Sequence, residues 1–87
     1  MLITQETLPL ALDRLGVPRN VYSIGHQVDN AWCLTALDSG RWQVAYRERG
    51  TDFDVSVLNT AEDACYLLLG RLALRQITSG ATVPGTT

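Results

Sequence analysis

One histidine, His26, and two cysteines, Cys33 and Cys65, are the side chains best suited to nucleophilic attack or proton transfer near neutral pH. His26 precedes Val28-Asp29 closely enough for a His–Asp contact, but its polar, unperiodic surroundings predict a solvated loop. Two cysteines and one histidine do not supply the closely spaced four-ligand set that zinc requires. In a reducing cytosol such cysteines act as buried small hydrophobes, a disulfide or a reactive thiol being the alternatives. There is no Gly-x-Ser-x-Gly elbow, phosphate-cradling glycine loop or His-Glu-x-x-His helix. The expectation is a protein with no catalytic residue, no metal and no cofactor.

What remains is charge. Asp29, Glu48, Asp52, Asp54 and the Glu62-Asp63 pair could form a negative surface that speeds association with a basic partner, although Arg41, Arg47 and Arg49 are interspersed with them. The net charge of −2 and the lack of a cation cluster argue against nucleic-acid binding. The seven basic residues are all arginine, which points to a GC-rich genome. No basic segment precedes an apolar run near the N-terminus, and Cys65–Leu69 falls far short of the roughly 20 residues that span a bilayer. A cytoplasmic protein without membrane contact is expected.

The elements that would position these residues follow from periodicity. Eighty-seven residues make one domain, expected over residues 1–78, with 79–87 as a disordered tail. Leu8, Leu12 and Leu15 lie on one helical stripe. Thr4 or Thr7 could cap it, Pro9 favours Thr7 or a kinked start, and Gly16 with Pro18 stops it. Val21–Ile24 reads as a short strand, at an edge or leading into a loop over His26–Asn30. Thr60 caps a second helix with Glu62 and Asp63 in its first turn. Ala61, Cys65, Leu68 and Leu72, flanked by Ala64 and Leu69, make its buried stripe.

Between them lies an antiparallel meander over Ala31–Leu37, Arg41–Arg47 and Asp52–Leu58. A two-residue turn at Arg49-Gly50 would set Tyr46 opposite Phe53, Val44 opposite Val55 and Trp42 opposite Val57, with Arg47 and Asp52 as an exposed pair on the other face. A three-residue loop at Asp38-Ser39-Gly40 with left-handed Gly40 would put Trp32, Leu34 and Ala36 on that apolar face. A loop of even length would offer Cys33, Thr35 and Leu37 instead. The preferred register places Trp32, Trp42, Tyr46 and Phe53 in the core. The fold class is thus α+β, in the order α-β-β-β-β-α: an N-terminal helix, a short strand, a three-stranded antiparallel meander, and a C-terminal helix packed on one sheet face.

The plan is similar to that of double-stranded RNA-binding domains, but Thr60-Ala61-Glu62-Asp63 stands where that family carries phosphate-gripping lysines. Two other stretches carry a closer likeness: Gly16-Val17-Pro18 leading to Val21–Gly25, and Trp42–Gly50 leading to Glu62-Asp63-Ala64-Cys65. Over roughly residues 5–72 the chain resembles small actinobacterial immunity-protein-like domains encoded near polymorphic or secreted toxins. It departs from them at His26, where a second glycine is usual. The resemblance implies a noncatalytic module that binds and blocks a partner toxin, with contacts at His26, Asp29 and Asn30 in the first loop and Glu48, Arg49 and Asp52 at the hairpin. The alternative is a self-associating domain, a homodimer formed through a sheet edge.

Overall fold

Thr4 and Thr7 build the start of the first helix as a pair. In the computed structural model, which describes residues 2–78, the Thr7 N–H donates to Thr4 Oγ1 at 3.2 Å and the Thr4 N–H donates to Thr7 Oγ1 at 2.8 Å. This turn leads into α1 (Leu8–Arg14), with Pro9 in the first turn, where helix N–H groups have no partner within the helix. Leu8 and Leu12 are buried as expected; Leu15 is not, and its side chain is 44% exposed. The reason lies in the stop signal. Gly16 at φ +75° turns the chain, its N–H donating to the Asp13 carbonyl and that of Val17 to Leu12, so that Val17 enters the core in place of Leu15.

After a 3-10 turn at Arg19–Val21 come β1 (Tyr22–Ile24), β2 (Ala31–Ala36), β3 (Trp42–Glu48) and β4 (Thr51–Leu58), in the spatial order β1-β2-β3-β4. The meander β2-β3-β4 is antiparallel, while β1 lies at the edge and runs parallel to β2. Parallel neighbours usually need a crossover of a dozen or more residues. Here β1 is three residues long, so the six residues Gly25–Asn30 suffice to bring the chain back. That return crosses one sheet face, with Val28 N–H and C=O both meeting Cys33 Sγ at 3.4 and 3.3 Å.

The β2–β3 hairpin has the expected three-residue loop with Gly40 at φ +86°, and Leu34 faces the core. The β3–β4 hairpin has the expected Arg49-Gly50 turn, with both residues at positive φ and Tyr46 opposite Phe53. Beyond that pair the expected register fails. A bulge leaves Asp54 and Val55 together opposite Ala45, with Asp54 at φ +52°, so Val44 faces Ser56 and Trp42 faces Leu58. Val55 and Val57 therefore lie on the face away from the helices, 50% and 44% exposed, and Leu58 packs on the core instead. Phe53 keeps its partner but is 49% exposed, so it is not a core residue.

The bulge makes a direct prediction. Asp54→Val should lower the unfolding free energy by about 1–2 kcal/mol, because a β-branched residue resists the left-handed region. Deleting Asp54 should restore continuous pairing without changing any cross-strand partner, at the cost of an unbroken edge that aggregates more readily. Urea denaturation and light scattering measure the two effects.

Helix α2 (Ala61–Thr78) starts at Thr60, whose Oγ1 accepts from Asp63 N–H at 3.0 Å. It buries Ala64, Cys65, Leu68 and Leu72 against the sheet and α1, together with Leu8, Leu12, Leu34 and Val44. Helix α2 thus covers one face of a mixed four-stranded sheet and α1 packs against α2, an α+β architecture. The expected tail, residues 79–87, lies outside the described residues.

Candidate functional site

The loop before β2 and the turn after β3 meet at one end of the sheet. Asn30, at φ +63°, donates its N–H to the Arg47 carbonyl and so extends the β2–β3 ladder by one bond. This leaves the Asp29 carboxylate beside the turn, where one oxygen accepts the Gly50 N–H at 3.1 Å and lies 3.4 Å from Arg47 Nε. Arg47 Nη1 bonds Asp52 at 3.1 Å, and Gln43 donates to the second Asp52 oxygen. The expected Arg47–Asp52 pair is present, but it is only about a quarter exposed, and Arg47 shares itself with Asp29. One arginine thus ties the loop and both strands of the hairpin together. Each contact contributes on the order of 0.2–1 kcal/mol at this exposure.

Five of the six residues singled out from sequence therefore belong to one surface: Asp29, Asn30, Glu48, Arg49 and Asp52. Asp29 and Asp52 spend part of their charge on Arg47, whereas Glu48 and Arg49 are exposed on the turn. His26 is exposed in the segment that crosses back over the sheet, and takes no part in the hydrogen bonds joining the others. Arg49 adopts φ +52°, a conformation cheap for asparagine or glycine and costly for a long side chain.

A scan of protein-family models and searches of curated proteins and solved structures found no match to this chain. Its function must be argued from these residues.

Neither cysteine is placed for attack. Both are free thiols and buried, Cys33 beneath the returning loop and Cys65 in the core. A cavity of about 150 Å³ between residues 3–6 and the start of α2 reaches Cys65 with Glu6 and Glu62 beside it. Burial first, then those two carboxylates, pushes the Cys65 thiol above its ordinary range, the reverse of what a nucleophile needs. Among the described residues no group of three or more His, Cys, Asp or Glu could hold a metal ion, and no helix is long and apolar enough to cross a membrane.

The Cys65 shift has a measurable sign. Below the ordinary thiol range both folded and unfolded chains hold the proton; as pH rises through it, the unfolded chain loses its proton first and is favoured. Stability should therefore fall on the alkaline side, and Cys65→Ala should flatten that part of the pH profile in chemical denaturation.

Two further residues have site-like environments. Gln76, buried in the last turns of α2, donates to the carbonyls of Leu15 and Gly16 at 3.2 and 3.1 Å. Arg71 lies with its guanidinium carbon 5.5 Å from the centre of the Trp32 ring. A polar residue on a helical stripe was the available signal for Gln76. Nothing local marked Arg71.

Proposed function

We propose that this chain is a noncatalytic protein-binding module, an immunity-like inhibitor that covers a basic cleft of a partner toxin with the surface around Asp29, Asn30, Glu48, Arg49 and Asp52. Arg49 carries the reading. A two-residue turn of this type folds best with asparagine or glycine at its first position, yet an exposed arginine stands there, next to a loop tied down by Asp29. Stability given up at an exposed turn suits a side chain kept for contact with an acidic group at the rim of the cleft, since the basic cleft itself repels a cation. The surrounding bonds hold the surface rigid before binding, which lowers the ordering cost of association. Inhibition of this kind needs only coverage of the cleft, with acidic side chains steering the encounter and buried anchors supplying most of the affinity.

Pairing of two chains through sheet edges is the weaker reading, since β1 is three residues long and the bulge at Asp54–Val55 interrupts β4. Co-expression with the product of a neighbouring toxin-like gene, followed by size-exclusion chromatography, tests the proposal. Co-elution with relief of toxicity supports it; separate elution with undiminished toxicity overturns it. Arg49→Asn sharpens the test: the free protein should gain about 0.4–1 kcal/mol in denaturation while the complex weakens. A variant that gains stability and binds equally well would remove Arg49 from the interface.

A further inference from the structure

We infer that Arg71 and the aromatic row beside it form the seat for an acidic, apolar segment of the partner protein, with the guanidinium taking a carboxylate and Phe53 taking the adjoining apolar side chain. This deepens the protein-binding reading and rests on it for the identity of the occupant.

The row crosses all four strands: Tyr22 is the register partner of Trp32, Trp32 of Tyr46, and Tyr46 of Phe53. Trp32 and Tyr46 meet edge to face, with ring centres 5.7 Å apart. Arg71 reaches from α2 over the Trp32 ring, its guanidinium carbon 5.5 Å from the ring centre and within reach of a cation–π contact. Arg19, Arg47 and Arg75 each have a hydrogen-bonding side-chain partner. Arg71 has none among the described residues, and its Nε is sealed from water as well. A partly desolvated arginine fork without an acid is complementary to a carboxylate.

Its surroundings select the rest of the ligand. Phe53 ends the row two strands from Trp32, roughly 10 Å away at the usual strand spacing, and is half exposed; Leu74, one turn beyond Arg71, is exposed too. A carboxylate beside an apolar side chain fits this combination. A polyphosphate chain does not, given the net charge of −2 and the acidic turn nearby. Tyr46–Phe53 is the pair next to Arg47–Asp52, so the seat adjoins the contact loops around the same end of the sheet, on its opposite face.

The test is a heteronuclear NMR titration of the full-length chain with acetyl-Leu-Glu-Leu-amide and with its glutamine counterpart, following the Arg71 Nε–H and the Trp32 indole N–H. The glutamate probe should give saturable shifts at both, with Kd of millimolar order, and the glutamine probe should bind roughly tenfold more weakly or not at all. Arg71→Met, which keeps the stem over Trp32, should lose that preference, while Arg71→Lys should retain part of it. Because the preference is read first on the unmodified protein, misfolding of a variant does not blunt the test. Absence of saturable shifts, or equal binding of the two probes, overturns the proposal. So does a response to oligothymidylate alone, or to protein concentration alone, which would assign the row to nucleic acid or to a second copy. Co-elution with the toxin partner decides the protein-binding reading separately: an intact complex with no probe binding removes this seat and leaves that reading in place.

Discussion

Leu68→Ala is expected to lower the unfolding free energy by about 2–5 kcal/mol, the largest loss of any substitution considered. Leu68 has no exposed surface and sits midway along α2, in the cluster that joins the helices to Leu34 of β2 and Val44 of β3. Truncation removes the transfer free energy of the lost methyl and methylene groups and leaves a hole that a sheet on one side and a helix on the other cannot close. A domain of this length has on the order of 4–12 kcal/mol in total, so the variant should melt roughly 10–30 °C lower and be partly unfolded under mild conditions. Leu74→Ala on the exposed side of the same helix is the control, expected to stay within about 0.5 kcal/mol of the parent. Equal effects at the two positions would mean that α2 does not face the sheet through Leu68.

Gln76→Leu is the second. The side chain is buried and its Nε2 spans the last turn of α1, donating to the carbonyls of Leu15 and Gly16, while its Oε1 accepts from Arg75 Nη1 at 2.8 Å. Leucine fills similar space but takes this donor from both part-buried carbonyls, a loss of about 0.5–1.5 kcal/mol for each hydrogen bond. The effect should be local as well as global. The Val17 N–H, which bonds the Leu12 carbonyl inside the same turn, should exchange with deuterium faster than amides of β3. Gln76→Glu should be at least as damaging near neutral pH and improve in acid, where the protonated carboxyl regains a donor. Unchanged exchange at Val17 in the leucine variant would show that α1 is held by its apolar face alone.

Much of this architecture is local enough to read from the chain. Thr60 before Glu62-Asp63, Gly16 before Pro18, and Gly40 and Gly50 in the hairpin turns each obey rules that involve only a few neighbouring residues. The same holds for the Tyr46–Phe53 and Arg47–Asp52 pairs, which follow from a two-residue turn adjacent to them. The error in β4 begins where that locality ends. Strict alternation made Phe53, Val55 and Val57 one buried face, but the helices cover Ser56 and Leu58, and the strand reaches them by inserting Asp54 as a bulge. Only the position of α2 above the sheet distinguishes the two registers, since both place apolar residues on one side of a plausible strand. Leu15 shows the same limit: the helical stripe included it, but the Gly16 turn brings Val17 into the core and leaves Leu15 half exposed.

The candidate site divides in a similar way. That His26, Asp29, Asn30, Glu48, Arg49 and Asp52 occupy loops and strand ends was legible from composition and turn signals. That Asp29 and Asn30 lie beside the hairpin turn follows from the antiparallel pairing of β2 with β3, which sets Ala31 opposite Arg47 and so brings Asp29 to Gly50 and Arg47 across a separation in sequence of about twenty residues.

By itself, the sequence determined a small α+β chain poor in nucleophiles, its caps and turns, and the pairing nearest each turn, because these depend on interactions spanning a few residues. The tertiary structure decided which strand residues face the helices, that Arg47 joins the return loop to both strands of the hairpin, that Gln76 is buried and that Arg71 lies over Trp32, because each depends on contacts between segments distant in sequence.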